Sequence, residues 1–277
     1  MSIPAVVAGL CDDAAIFPPG LAPLPDAVRD HRDRRGRWYA DLAGPLVLSD
    51  AALAQLDAPD ADLRVSVTLP GGPAGLPAVV AACAELSVEL AAVEVAVPAG
   101  MGAAEFFEHL ADPPVDVYVE VPRDGRGPAI VDGLRGRYRA KFRTGGVRAE
   151  LYPSVAELAA SIAAVVAAGV PFKATAGLHH AVRNTDPETG FEQHGFLNLL
   201  LATDALLAGG SAADAQALLA ERDPAAVAAQ VRALDAAAVA RTRAAFTSFG
   251  TCSITEPLAE LVALGIISVV TEGEVDQ

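Results

Sequence analysis

Residues 91–122 read AAVEVAVPAGMGAAEFFEHLADPPVDVYVEVP, and this stretch decides the fold class. It begins with an alternating apolar run, continues with AAEFFEHLA, whose apolar residues have helical spacing, and ends with a second alternating run, VDVYVEVP. A strand, a helix and a second strand in this order indicate parallel strands joined by a right-handed crossover.

The same strand–helix unit recurs along the chain at intervals of roughly 25 to 35 residues. The other predicted strands are IPAVVAGL (3–10), PLVLS (45–49), LRVSVTLP (63–70), YRAKFRTGG (138–146), PFKATAGLHH (171–180) and AFTSFGTCS (245–253). Eight such units in 277 residues predict an α/β fold, a (β/α)8 barrel of the TIM type. A doubly wound open sheet is the alternative, but the GxGxxG turn that often follows its first strand is absent from the sequence.

One segment breaks this rhythm. Between the seventh and eighth predicted strands the pattern is mainly helical and far longer than the single helix that a crossover needs. We therefore expect residues 1–277 to form one barrel domain, with a helical insertion at residues 183–244. The insertion is consistent with a lid or with the interface of a homo-oligomer.

Composition and charge exclude several classes of protein. The net charge of −15 argues against a nucleic-acid partner, which normally faces a basic surface. The most apolar run, LAASIAAVVAAGV (158–170), is too short to span a bilayer, so we expect no membrane partner. Three cysteines without a CxxC pair fit a reducing compartment, and the N-terminus lacks the pattern of a signal peptide, so we expect a cytoplasmic protein.

Lys141 and Lys173 are the two lysines among 20 basic residues, and all the others are arginine. A buried amine can lose its proton and attack a carbonyl, whereas a guanidinium stays charged. Both lysines lie near the C-terminal ends of predicted strands, the sixth and the seventh, where barrel enzymes carry catalytic groups. The pattern predicts a chemical role for at least one lysine. Non-covalent anion binding and a buried Lys–Glu network are the alternatives.

Strand alternation predicts which side chains share the polar inner face of the barrel. These are Glu94, Glu120, Lys141, Arg143, Lys173 and Thr175, with Tyr118 as a further candidate for proton transfer. Amines on neighbouring strands lie within about 5 Å of each other, and each ammonium disfavours protonation of the other. We expect Lys141, Lys173, Glu94 and Glu120 to be catalytic, and Arg143 and Thr175 to contact the substrate.

Two motifs, KFRTGG (141–146) and KATAG (173–177), follow each other in the order of the two lysine motifs of class I aldolases. The chain distantly resembles the deoxyribose-phosphate aldolase family over residues 63–178 and 249–253. The segment AAVEVAVPAG (91–100) is similar to the family's acidic strand-four segment, and FGTCS (249–253) looks like its phosphate-binding turn.

The resemblance implies a cofactor-independent carbon–carbon lyase built on a barrel. It implies that Lys141 forms a Schiff base with a small carbonyl substrate, that Lys173 perturbs this amine and that Glu94 transfers protons. It also implies that a substrate phosphate would contact the turn formed by Gly250, Thr251, Cys252 and Ser253.

Histidines and acidic residues near the predicted catalytic end are further candidates. His179 and His180 follow the seventh strand, and acid–base or substrate-contact roles are expected there. A metal site made by these residues with His194 and Glu120 is an alternative, but adjacent residues of an extended chain point in opposite directions, so we expect no metal. The pair in CDDAAIFPPG (11–20), Asp12 and Asp13, is expected either to bind substrate hydroxyls or to cap a turn.

Two other functions stay open. A phosphoribosyltransferase-like or isomerase-like barrel would use the lysines and Arg143 as anion ligands. A non-catalytic oligomeric binding protein would use the helical insertion as its interaction surface.

Overall fold

A computed structural model describes residues 3–56, 61–110 and 115–268. The strands are β1 (Cys11–Asp13), β2 (Ala43–Ser49), β3 (Arg64–Leu69), β4 (Glu89–Ala96), β5 (Asp116–Glu120), β6 (Arg139–Arg143), β7 (Phe172–Thr175), β8 (Asn184–Thr185), β9 (Glu192–Gln193) and β10 (Phe246–Thr251). Eight of them are parallel and close into a barrel in the order β1, β10, β7, β6, β5, β4, β3, β2. The predicted (β/α)8 barrel is confirmed.

Helices alternate with the barrel strands and cover them. They are α1 (Leu24–Arg34), α2 (Asp50–Leu53), α3 (Leu76–Glu85), α4 (Ala103–Leu110), α5 (Gly127–Leu134), α6 (Val155–Ala168), α7 (Phe196–Leu207), α8 (Ala212–Ala220), α9 (Pro224–Ala233), α10 (Ala236–Ala245) and α11 (Thr255–Ala263). Single 3₁₀ turns span Ala40–Leu42, Pro73–Gly75 and Ala149–Leu151. The apolar strand positions, such as Val93 and Val95 on β4, belong to the core that these helices cover.

The first strand differs from the prediction. The run IPAVVAGL forms turns rather than a strand, with Val7 N and Ala8 N both donating to Pro4 O. The strand begins after Gly9, whose φ of +59° breaks an extended chain. β1 pairs with both β2 and β10, so the barrel still has eight strands and the lysines lie on β6 and β7, the sixth and seventh strands of the barrel.

The segment between β7 and β10 carries a two-stranded hairpin, β8–β9, and four helices, α7 to α10. Most of α7 is buried, and the ring of Phe196 at its start stacks on the ring of Phe249 in β10, with centroids 4.7 Å apart. On α10, Thr242 Oγ1 donates to Asp204 on α7 at 3.0 Å. The segment is therefore packed on the barrel through α7.

One helical stretch, Ala149–Ala168, is long and apolar enough by length and composition to cross a membrane. Within it, the regular helix α6 is 14 residues long, which corresponds to about 21 Å and is shorter than the bilayer's hydrocarbon core. A capping box of Ser154 and Glu157 begins this helix, and Leu158 and Ile162 are buried in the core. The barrel with its helical layer is a soluble type of fold, and a cytoplasmic location stays a prediction.

Strand register places the charged residues beside one another. Lys141 on β6 pairs with Glu120 on β5 and with Lys173 on β7, and Lys173 in turn pairs with Ser248 on β10. Register partners on parallel strands point to the same side of the sheet. Their side chains therefore meet inside the barrel.

Candidate active site

Lys173 is held between two carboxylates inside the barrel. Its Nζ lies 2.5 Å from Asp12 Oδ2 and 2.6 Å from Glu94 Oε1, and 5.3 Å from the centre of the Tyr118 ring. Only 2% of the residue is exposed. Burial favours the neutral amine, but the two carboxylates outweigh it and raise the pKa of Lys173 well above its ordinary value. Lys173 is therefore an ammonium.

Lys141 lies on the neighbouring strand and has different partners. Its Nζ is 3.0 Å from Glu94 Oε2 and 3.1 Å from Glu120 Oε2. These contacts are longer than those of Lys173, and Glu120 is a less buried partner than Asp12. The amine of Lys141 is therefore held less closely by its carboxylate partners than the amine of Lys173.

Glu94 joins the two lysines, because each of its oxygens contacts a different one. Ser66 Oγ also donates to Glu94 Oε1, at 2.9 Å. Burial acts to raise the pKa of Glu94, but Lys173 and Lys141 outweigh it and hold this pKa well below the usual range. Glu94 is therefore a fixed carboxylate, and it screens the two ammonium groups from each other.

Glu120 occupies the outer side of the cluster. Arg143 Nε donates to Glu120 Oε1 at 2.9 Å, and Lys141 contacts the other oxygen. Burial acts to raise the pKa of Glu120, but the two cations outweigh it and lower this pKa. The side chain of Glu120 is 21% exposed, against 1% for Glu94, so Glu120 is the more accessible of the two carboxylates.

Asp12 is a member of the cluster that the sequence pattern did not reveal. It was expected either to bind substrate hydroxyls or to cap a turn, but it lies on β1 and is buried. Besides Lys173, its Oδ2 accepts a hydrogen bond from Ser248 Oγ at 2.8 Å. Gly44 on β2 makes room for this carboxylate, because a Cβ there would lie 2.1 Å from Asp12 Oδ1. The neighbouring Asp13 points elsewhere and contacts side chains of α1, His31 at 2.9 Å and Arg34 at 2.5 Å.

The cluster forms part of the lining of a cavity of about 910 Å³. This volume is typical of pockets that bind small molecules. The predicted site residues that line it are Glu94, Glu120, Lys141, Arg143, Lys173, Thr175, His179, His180 and Gly250. Tyr118 is not among the lining residues, and its hydroxyl is bonded to Thr247 Oγ1 at 3.0 Å.

The turn after β10 differs from the expected phosphate site. Thr251 is buried and its Oγ1 donates to Ser253 O at 3.0 Å, while Ser253 Oγ accepts from Glu256 N at 3.3 Å. Neither Thr251 nor Ser253 lines the cavity, whereas Gly250 and Cys252 do. The side chain of Glu256, 55% exposed, lines the cavity from the first turn of α11.

The three candidate histidines diverge. His180 Nδ1 contacts Glu260 at 2.6 Å, and His194 is buried with its Nε2 donating to Pro153 O at 2.8 Å. His179 lines the cavity with Nδ1 3.7 Å from Cys252 Sγ, and burial lowers its pKa. Among the residues that the structure describes, no group of three His, Cys, Asp or Glu side chains could hold a metal ion.

An aromatic wall also lines the cavity, and no pattern in the sequence signals it. The rings of Tyr152 and Phe191 pack with centroids 5.6 Å apart. Gly145 and Gly177, one from each lysine motif, leave space for Tyr152, because a Cβ on either would lie within 3 Å of its ring. These glycines therefore shape the cavity.

A scan against models of known protein families gives no match, and a search of curated proteins finds no match to the sequence. The resemblance to class I aldolases stays a prediction from the motifs.

Proposed function

We propose that the protein is a cofactor-independent carbon–carbon lyase in which Lys141 forms a Schiff base with a small carbonyl substrate. The observation that carries this proposal is the different environment of the two amines. Lys173 is held by short contacts with the buried Asp12 and Glu94, whereas Lys141 makes longer contacts and lies beside the more exposed carboxylate of Glu120. A nucleophilic lysine needs both access to a carbonyl and a base within reach.

Lys173 has an electrostatic role in this proposal. As a permanent ammonium it holds Glu94 in place and keeps it ionised. A fixed charge in a buried site needs no reorganisation during the reaction. Lys173 therefore acts as a positioning residue, and Lys141 as the nucleophile.

Schiff-base formation begins with a proton transfer from Lys141 to Glu120, whose Oε2 lies 3.1 Å away. The neutral amine adds to the carbonyl carbon, and the nitrogen proton passes to the former carbonyl oxygen to give a carbinolamine. Glu120 then returns its proton to this hydroxyl group, water leaves and the nitrogen lone pair forms the iminium bond. One ammonium and one carbonyl have become one iminium ion and one water.

Cleavage uses the iminium ion as an electron acceptor. Glu120 removes the proton of a hydroxyl group on the β-carbon, the bond between the α- and β-carbons breaks, and its electron pair forms an enamine on Lys141. An aldehyde leaves. Protonation of the enamine at carbon and hydrolysis by water release the second product and restore the amine.

The anion-binding alternative has less support. Each cation of the cluster already contacts a carboxylate, since Lys173 contacts Asp12, Lys141 contacts Glu94 and Arg143 contacts Glu120. An incoming phosphate would compete with these partners. Non-catalytic binding through the helical segment, and assembly into a homo-oligomer, stay predictions.

Hydrogen exchange at carbon tests the proposal. An enamine on Lys141 should exchange the α-hydrogens of propanal for deuterium in heavy water, which proton NMR measures. Lys141→Arg keeps the charge but cannot form the imine, so exchange should fall to the uncatalysed rate. Glu120→Gln should slow exchange by about 10²–10⁴-fold. Glu89→Gln, on the exposed end of β4, is the control. Undiminished exchange by Lys141→Arg would overturn the proposal.

A further inference from the structure

The cavity's charged lining bears on the class of substrate. Its carboxylates are Glu94, Glu120, Asp186, Glu188 and Glu256, and its lysine and arginine side chains are Lys141, Arg143 and Lys173. Carboxylates thus outnumber these cations, and each of the three cations contacts a carboxylate. A cavity of this sign repels a phosphate dianion.

The turn after β10 does not compensate for this charge. Ser253 Oγ already accepts the hydrogen bond of Glu256 N, and the carboxylate of Glu256 lies at the start of α11. A negative side chain at a helix N-terminus occupies the position that an anion would otherwise take.

Apolar side chains also line the cavity. They include Phe17, Leu151, Tyr152 and Phe191, together called the apolar wall, and Tyr152 packs against Gly145 and Gly177. A pre-formed aromatic surface favours an apolar group, because burying that group removes it from water without ordering the protein. The cavity therefore joins a charged reaction centre to an apolar surface.

We propose that the substrate is an unphosphorylated carbonyl compound whose non-reacting end is apolar and packs on Tyr152 and Phe191. This inference rests on the proposed Schiff-base function. It departs from the phosphorylated substrates that the sequence motifs implied.

Reductive trapping with borohydride tests this substrate class by intact mass. The probes are 3-phenylpropanal, glyceraldehyde and glyceraldehyde 3-phosphate, each normalised to its adduct with N-acetyl-lysine amide. The chain suits this measurement because its amines are the two lysines and the N-terminus. We expect normalised yields to be about tenfold higher for 3-phenylpropanal than for glyceraldehyde, and lowest for the phosphate.

Phe191→Ala gives a second readout. The ratio of 3-phenylpropanal to glyceraldehyde trapping should fall about tenfold, because the variant removes part of the apolar wall. Trp38→Ala, an exposed aromatic outside the cavity, is the matched control and should leave this ratio unchanged.

Different outcomes would overturn the function and the substrate class. No adduct with any probe would overturn the Schiff-base function itself. Adducts that favour glyceraldehyde 3-phosphate over glyceraldehyde would overturn the substrate class and leave the function standing. An unchanged ratio of 3-phenylpropanal to glyceraldehyde trapping in folded Phe191→Ala would overturn the proposal that the apolar end of the substrate packs on Phe191.

Discussion

Lys141 and Lys173 contact different oxygens of one carboxylate, that of Glu94, at 3.0 Å and 2.6 Å. Neighbouring ammonium groups would repel each other in a barrel without this carboxylate. The shared partner fixes their spacing and leaves them unequal, because the second partner of Lys173 is the buried Asp12 whereas that of Lys141 is the more exposed Glu120.

The two lysines should therefore contribute differently to stability. Lys173→Met leaves Asp12 and Glu94 buried without their shared cation, so the free energy of unfolding should fall by about 3–5 kcal/mol. Lys141→Met should cost about 1–2 kcal/mol, since Glu94 keeps Lys173 and Glu120 keeps Arg143. Urea unfolding measures both.

A compensating substitution checks the cause. Asp12→Asn added to Lys173→Met removes one orphaned charge and should recover part of the loss. Equal losses in the free energy of unfolding for Lys173→Met and Lys141→Met would contradict the assigned ion pairs. So would a double variant that is no more stable than Lys173→Met.

Stability should depend on pH through His194. Burial lowers the pKa of this imidazole to about 4, while its unfolded value is about 6.5. Between these values the unfolded chain binds one more proton, so stability is full above about pH 6.5 and falls as the pH drops toward 4, by about 3 kcal/mol. Urea unfolding at several pH values should show a flatter profile for His194→Gln. His109→Gln, at an exposed position of α4, is the control. An identical slope in wild type and His194→Gln would refute this assignment.

Steric contact at the lysine motifs should be measurable. Gly177 has φ +69°, and a Cβ there would lie 2.8 Å from Gly145 Cα and 2.9 Å from the Tyr152 ring. Gly190 has φ +71° but open space around it. Gly177→Ala should therefore be less stable than Gly190→Ala by about 1–3 kcal/mol. Both variants place alanine at a positive φ, so comparing their thermal unfolding separates the steric contact at Gly177 from backbone strain. Equal losses of stability in the two variants would exclude the contact.

Thiol labelling should report on the cavity. Cys252 is half-buried and lines it, whereas Cys11 and Cys83 are buried. Burial raises the pKa of Cys83 to about 11 and also raises that of Cys252. Iodoacetamide should react slowly and at Cys252 first, and the added group should lower borohydride trapping. Cys252→Ser should protect against this loss. Labelling of Cys11 before Cys252 in the folded protein would contradict the placement of Cys252 in the lining of the cavity.

The barrel and most of its charged cluster follow from sequence periodicity. Alternation on β4 and β5 placed Glu94 and Glu120 on the inner face, and strand order placed Lys141 beside Lys173. The first strand was misassigned because IPAVVAGL is apolar enough for a strand, while Pro4 and Gly9 favour turns. A local sequence pattern does not show whether an apolar segment pairs with neighbouring strands in the folded barrel.

Contacts across the closure of the barrel were not predictable. Asp12 and Lys173 are far apart in the chain and meet because β10 joins β1 to β7. Tyr152 likewise reaches the cavity only because Gly145 and Gly177 come together from neighbouring strand ends. Such contacts depend on the three-dimensional course of the loops, which has no period in the sequence.

The site of reductive trapping tests the central claim most directly. Protein treated with 3-phenylpropanal and borohydride would be digested and its adduct located by peptide mass spectrometry. We expect an adduct on Lys141, its loss in Lys141→Arg, and no modification of Lys173. An adduct on Lys173, or adduct confined to the N-terminal amine in a folded sample, would contradict the assignment of Lys141 as the nucleophile.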